Sequence, residues 1–134
     1  MRLIEQFGRV LAGLLETIHK RETPADEVRL ELADIARHAG FDLDVARRVD
    51  PRMLLMWLAP SGEIDEARFW LIGELLFLDA AQTSEERGYD AARAAFDRAA
   101  AVFSQLPDDF RPRADLPCAG ERVSEIRRLQ SREP

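Results

Sequence analysis

Apolar residues recur through the first segment at spacings of three and four: Leu3, Ile4, Phe7, Val10, Leu11, Leu14, Leu15 and Ile18. That spacing confines them to one stripe of a helix, the pattern of an element that packs one side on a core. A second helix is expected to open at Thr23-Pro24, with Asp26 completing a capping-box-like start. Gly40 closes it, and its core face is Val28, Leu32, Ile35, Ala36 and Ala39. Two shorter helices follow, one led by Asp42 and one by Asp50-Pro51. In each, a short carboxylate can accept the orphan N–H groups of the first turn. Pro60-Ser61-Gly62 then breaks the chain.

The fifth helix, expected over about 63–82, carries apolar residues on two opposite faces. Ile64, Ala67, Leu71, Leu75 and Leu78 form one, and Phe69, Gly73, Leu76, Phe77 and Ala80 the other. A helix apolar nearly all round is buried between neighbours, with Arg68 and Asp79 marking the narrow strip expected to reach water. The sixth, over about 89–106, is amphipathic. Tyr89, Ala92, Phe96, Ala99, Phe103 and Leu106 share a stripe, with Asp90, Arg93, Asp97 and Arg98 away from it. Beyond Leu106 come Pro107, Pro112 and Pro117 and few apolar residues, then a weakly amphipathic piece around Val123 and Ile126. No segment alternates long enough to be a half-buried strand, so the expectation is an all-α domain over 1–106. A loosely attached tail over 107–134, partly ordered or with a short helix, would follow.

Tyr89-x-x-Ala92-x-x-x-Phe96-x-x-Ala99 resembles the second helix of a tetratricopeptide repeat, and Phe69-x-x-Ile72-Gly73-x-x-Leu76 is similar to its first helix. Small residues at Gly73, Ala92 and Ala99 would let two antiparallel axes approach, with Phe69, Leu76 and Phe96 filling the remaining space. The spacing from Gly73 to Ala92 exceeds that of the repeat by about two helical turns, so either the first helix is extended or the turn at Thr83 to Gly88 is enlarged. A lone repeat cannot cover both its outer faces, so the N-terminal helices would brace the pair at about 63–106. The start Arg2-Leu3-Ile4-Glu5-Gln6, together with the long helix and the later helix pair, also resembles an uncharacterised family of bacterial tetratricopeptide-like proteins. That resemblance implies the fold and supplies no activity.

Composition narrows the function classes. The chain has 134 residues, enough for one self-sufficient core. Its net charge of -6 argues against a nucleic-acid binder, which needs clustered cations. The Arg-rich tail holds Arg111, Arg113, Arg122, Arg127, Arg128 and Arg132, but Asp108, Asp109, Asp115, Glu121, Glu125 and Glu133 nearly cancel them. Lys20 is the only lysine among 19 basic residues, a bias of the kind that high-GC bacterial genomes produce. No apolar run is long enough to span a membrane, the N-terminus has no signal-peptide pattern, and Cys118 has no intrachain partner. A cytoplasmic location follows as an expectation.

Candidate chemistry is sparse. Glu31, Asp34 and His38 share a polar face of the second helix at helical spacing, yet offer no fourth ligand, so they read as solvated contacts rather than a metal site. His19 reads as an exposed last-turn residue favoured by the helix dipole. Glu74 interrupts the apolar circumference of the fifth helix. It would either pair with an arginine or carry a raised pKa suited to proton transfer. Cys118 sits in a Pro-flanked stretch without a catalytic partner, and no Gly-rich phosphate loop or nucleophile elbow is present. The expectation is a non-enzymatic module, with no cofactor and no metal, that binds a peptide or protein through a helical groove. Met53, Met56, Trp57, Phe69, Trp70 and Phe77 are the candidate interaction surface. The alternative is a structural homo-oligomer, such as a homodimer, that spends the fifth helix or the Met-Trp region on a symmetric interface. A third reading is an enzyme or metal protein using Glu74 or the Glu31, Asp34 and His38 face.

Overall fold

A computed structural model describes residues 2–131, with side chains from Phe7 onward. It is all-helical, with no strand among the described residues. The helices are α1 (Arg2–Lys20), α2 (Ala25–His38), α3 (Leu43–Ala46), α4 (Pro51–Leu58), α5 (Glu66–Arg87), α6 (Tyr89–Phe103) and α7 (Ala119–Ser131). Leu3 and Ile4 of the first stripe have side chains outside the described set. From the rest of that stripe, Leu11, Leu14 and Ile18 are buried, while Val10 is partly in solvent.

The architecture follows from α5. Every residue from Phe69 to Gln82 is buried, as its apolar circumference requires, with α1 and α2 packed on it and α6 making its most extensive interface. In turn α4 and α7 pack on α6. Only Gly88 separates α5 from α6, and its φ of 90° with ψ of 165° is a conformation open essentially to glycine alone. The reversal it makes runs α6 back along α5, so that Phe77 meets Phe96 edge-on and Phe103 lies over Gly73. A Cβ on Gly73 would stand 2.7 Å from Phe103 Cε1, so the close approach depends on the missing side chain. Ala92, Phe96 and Ala99 are buried along the same seam.

Caps behave as the short acidic side chains imply. Asp42 accepts from Val45 N–H and Asp50 from Met53 N–H, with Pro51 in the first turn of α4. Gly40 closes α2 in a left-handed turn, with Phe41 N–H reaching Ala36 O.

Several boundaries differ from the sequence expectation. At the start of α2, Pro24 holds the N-cap position and no side chain caps the helix, so Thr23 and Asp26 make no capping box. The fifth helix starts at Glu66, where Asp65 accepts Arg68 N–H, and runs to Arg87; the extra turns are helix rather than an enlarged loop. Asp79 is buried instead of reaching water, because Arg47 and Arg29 converge on it. The largest correction concerns the tail. Leu116, Cys118, Ala119, Arg122 and Ile126 are buried, and Trp70 Nε1–H donates to Pro117 O at 2.9 Å, so 107–131 is docked on the domain. Its anchor is Arg122, a residue that a reading by hydrophobicity places on the outside.

Candidate interaction surface

Two carboxylates stand inside α5, and both are consumed by arginines from other elements. Glu74 is 0% exposed and accepts from Arg122 Nε at 2.5 Å and from Arg122 Nη2 at 3.0 Å, a two-point pairing across the α5–α7 contact. Removal from water pushes the Glu74 carboxyl above its ordinary pKa, and the Arg122 guanidinium pulls against that rise. Arg122 also donates to Glu125 and lies over the Phe77 ring, 4.6 Å from its centroid. Asp79 accepts two hydrogen bonds from Arg47, at 3.0 and 2.7 Å, and has Arg29 at 3.6 Å. The Asp79 contact holds the Arg47 guanidinium above its usual value, against the effect of burial. Arg29 bridges onward to Glu86, which also receives Gln82 Nε2. These contacts tie α2, α3 and α7 to the central helix.

The other titratable candidates are spread apart. His19 Nδ1 lies 3.2 Å from Glu85, which also receives Arg21. Asp34 accepts from Arg37, and His38 Nδ1 lies 2.8 Å from the Asp34 backbone oxygen. Among the described residues no three His, Cys, Asp or Glu side chains are grouped so that they could hold a metal ion, so Glu31, Asp34 and His38 do not come together as ligands. Cys118 is buried under the start of α7 rather than exposed in a tail.

The six residues expected to form a surface divide into two groups. Phe69, Trp70 and Phe77 are at most 2% exposed and belong to the core, because α5 is covered on all sides; they are not a surface. Met53, Met56 and Trp57 are 56%, 62% and 45% exposed. In α4 Leu54 and Leu58 are buried and Leu55 packs partly on the core, while Met53, Met56 and Trp57 stay outside at helical spacings of three and four.

Sequence reasoning missed two further exposed apolar side chains. Leu30 on α2 is 71% exposed and Val45 on α3 is 43% exposed. Between these helices a recess of about 440 Å³ has Ala33, Phe41, Leu43 and Trp57 as its apolar wall, with Arg37, Asp42, Asp44 and Arg47 as its charged lining. Trp57 stacks on Phe41 with ring centroids 5.6 Å apart, which holds the indole at the mouth. Leu30 and Ala33 lie three apart on α2, so the apolar strip continues from the recess along that helix. The available signal was Leu30 itself, an apolar residue off the stripe of Val28, Leu32 and Ile35. A second groove of about 400 Å³ runs between α1, α5, α6 and α7, floored by Leu15, Phe77, Ala81, Phe96 and Leu129.

Comparison with family models, with curated proteins and with solved structures gives no match. Among the described residues, no helix is long and apolar enough to cross a membrane.

Proposed function

We propose that this chain is a non-enzymatic protein-interaction module of the bacterial cytoplasm that binds a peptide or protein through the face formed by α2, α3 and α4. All the large apolar side chains exposed among the described residues, except Val10, lie on those three helices. An apolar concentration of that kind marks a contact surface, and Met and Trp suit it by combining adaptable packing with a large anchoring group. The recess beside Trp57 supplies the groove between helices. Commitment of both α5 carboxylates to arginines argues for a structural use of the buried charge instead of proton transfer. The seam of Gly73, Ala92, Phe96 and Ala99 supports reading α5 and α6 as a tetratricopeptide-like pair that the remaining helices brace.

The test is affinity enrichment from native lysate, run in parallel with the wild-type chain and with a Met53→Ser, Met56→Ser, Trp57→Ala variant of matched thermal stability. A protein retained by the first and lost by the second supports the proposal. Equal retention by both would overturn the assignment of the face. Light scattering coupled to size exclusion completes it. A concentration-independent dimer that the same substitutions dissociate would give the face to a second copy of the chain.

A further inference from the structure

On the reading that the face of α2, α3 and α4 is an interaction surface, its charge and shape identify the partner. The recess beside Trp57 is electrically balanced, since its charged lining is two arginines and two aspartates. Both arginines already hold carboxylates, Arg37 that of Asp34 and Arg47 those of Asp79 and Asp44. Asp42 keeps its charge while accepting Val45 N–H. A charged insert, acidic or basic, therefore finds no net counter-charge there, and the apolar wall suits an uncharged one. The balance extends along the chain. Between Ala33 and Leu58, with His38 neutral, Asp34, Asp42, Asp44 and Asp50 are matched by Arg37, Arg47, Arg48 and Arg52. The whole net charge of -6 lies outside this stretch.

We propose that the partner is a second copy of this chain, bound face to face about a two-fold axis so that Met53 of each copy enters the other's recess beside Trp57. A contact of this symmetry needs one face that carries both an insert and the recess that receives it. Met53 lies four residues before Trp57, on the same side of α4, and is 56% exposed. Its side chain is flexible and uncharged, and its sulfur packs favourably against aromatic rings, here the stacked Trp57 and Phe41. Met56, about a third of a turn away, covers the rim. Two copies of a chain carrying -6 repel each other, and contact through a stretch with equal numbers of both signs keeps that repulsion least. An anionic bilayer attracts a basic excess, which the stretch lacks. Each copy closes its core without this face, so the dimer is reversible and separates on dilution into folded single chains.

Sedimentation equilibrium of the full chain from micromolar to millimolar concentration tests this, with two variants whose folding is checked by circular dichroism of the dilute chain. Met53→Ser removes the insert, and Ala33→Phe, on the exposed side of α2, fills the recess. The wild-type chain should dimerise as concentration rises. Each variant alone loses both insertions and should self-associate about a hundredfold more weakly. An equimolar mixture of the two keeps one insertion, from the Met53 of one copy into the open recess of the other, and should associate only about tenfold more weakly than wild type. A mixture no tighter than the separate variants would overturn the reciprocal insertion. A wild-type dimer indifferent to both substitutions would put the contact elsewhere and overturn the proposal. A wild-type chain that stays single to millimolar concentration would overturn the second copy. Enrichment from lysate that depends on Met53, Met56 and Trp57 would then leave the interaction surface standing with another partner, and its failure would remove the surface as well.

Discussion

Replacing Arg122 with methionine removes the guanidinium from a pair in which Glu74 is wholly buried and Arg122 is 7% exposed. Methionine keeps much of the contact with Phe77 but leaves a carboxylate without its counter-charge or its two donors. Breaking a buried pair from one side costs about 3–5 kcal/mol, a fifth or more of the roughly 5–15 kcal/mol that holds a typical domain together. For a chain of 134 residues that corresponds to a fall in Tm of roughly 10–18 °C. The sign of the pH dependence follows from the upward shift of Glu74. A carboxyl whose folded pKa is raised stabilises the fold below its unfolded pKa, and that contribution is lost as pH rises through the folded value. Without Arg122 the shift is larger, so the deficit of Arg122→Met should be widest at neutral pH and narrow in acid. Urea denaturation followed by circular dichroism across pH measures it. The double variant Glu74→Leu, Arg122→Met should recover most of the loss, because apolar replacement of a buried pair is close to neutral or stabilising. An Arg122→Met change within about 1 kcal/mol of wild type, or a double variant as unstable as the single, would refute the claim that this pair docks α7.

Gly73→Ala should destabilise by about 1–3 kcal/mol, since its Cβ would meet the Phe103 ring, and Phe103→Leu should relieve part of the loss; thermal melts of the single and double variants decide this. Asp65→Ala removes the acceptor for Arg68 N–H and should cost about 1 kcal/mol in urea denaturation, whereas Thr23→Ala, which caps nothing, should lie within about 0.5 kcal/mol of wild type. Met53→Ser and Met56→Ser should each change stability by less than about 0.5 kcal/mol, because both side chains already face solvent.

The elements that the apolar pattern made legible are those whose contacts run along one helix. The buried residues Leu11, Leu14 and Ile18 of α1, Val28, Leu32 and Ile35 of α2, and Ala92, Phe96, Ala99 and Phe103 of α6 are the ones their spacing picks out. Capping by Asp42 and Asp50 was equally plain, since it depends on neighbours in sequence. What stayed hidden depends on partners far apart in the chain. Arg122 lies four residues from both Cys118 and Ile126, on the inner stripe of α7, but only the opposing Glu74 makes that position tolerable. Asp79 was assigned to solvent for the same reason, its partner Arg47 lying 32 residues away. Met53, Met56 and Trp57 could not be separated from Phe69, Trp70 and Phe77 by residue type. Helix length and cover separate them, since α5 is enclosed by its neighbours and α4 offers one side, Leu54, Leu55 and Leu58, to the core.

Chemical-shift mapping on the ¹⁵N-labelled chain, titrated with a partner from the native lysate or with the unlabelled chain, tests the central claim most directly. The largest changes should fall on Leu30, Val45 and the Met53 to Trp57 segment, with the Trp57 indole N–H among them. Changes concentrated on Leu15, Ser84 and Leu129 would place binding in the groove between α1, α5, α6 and α7 and contradict the assignment of the α2–α4 face.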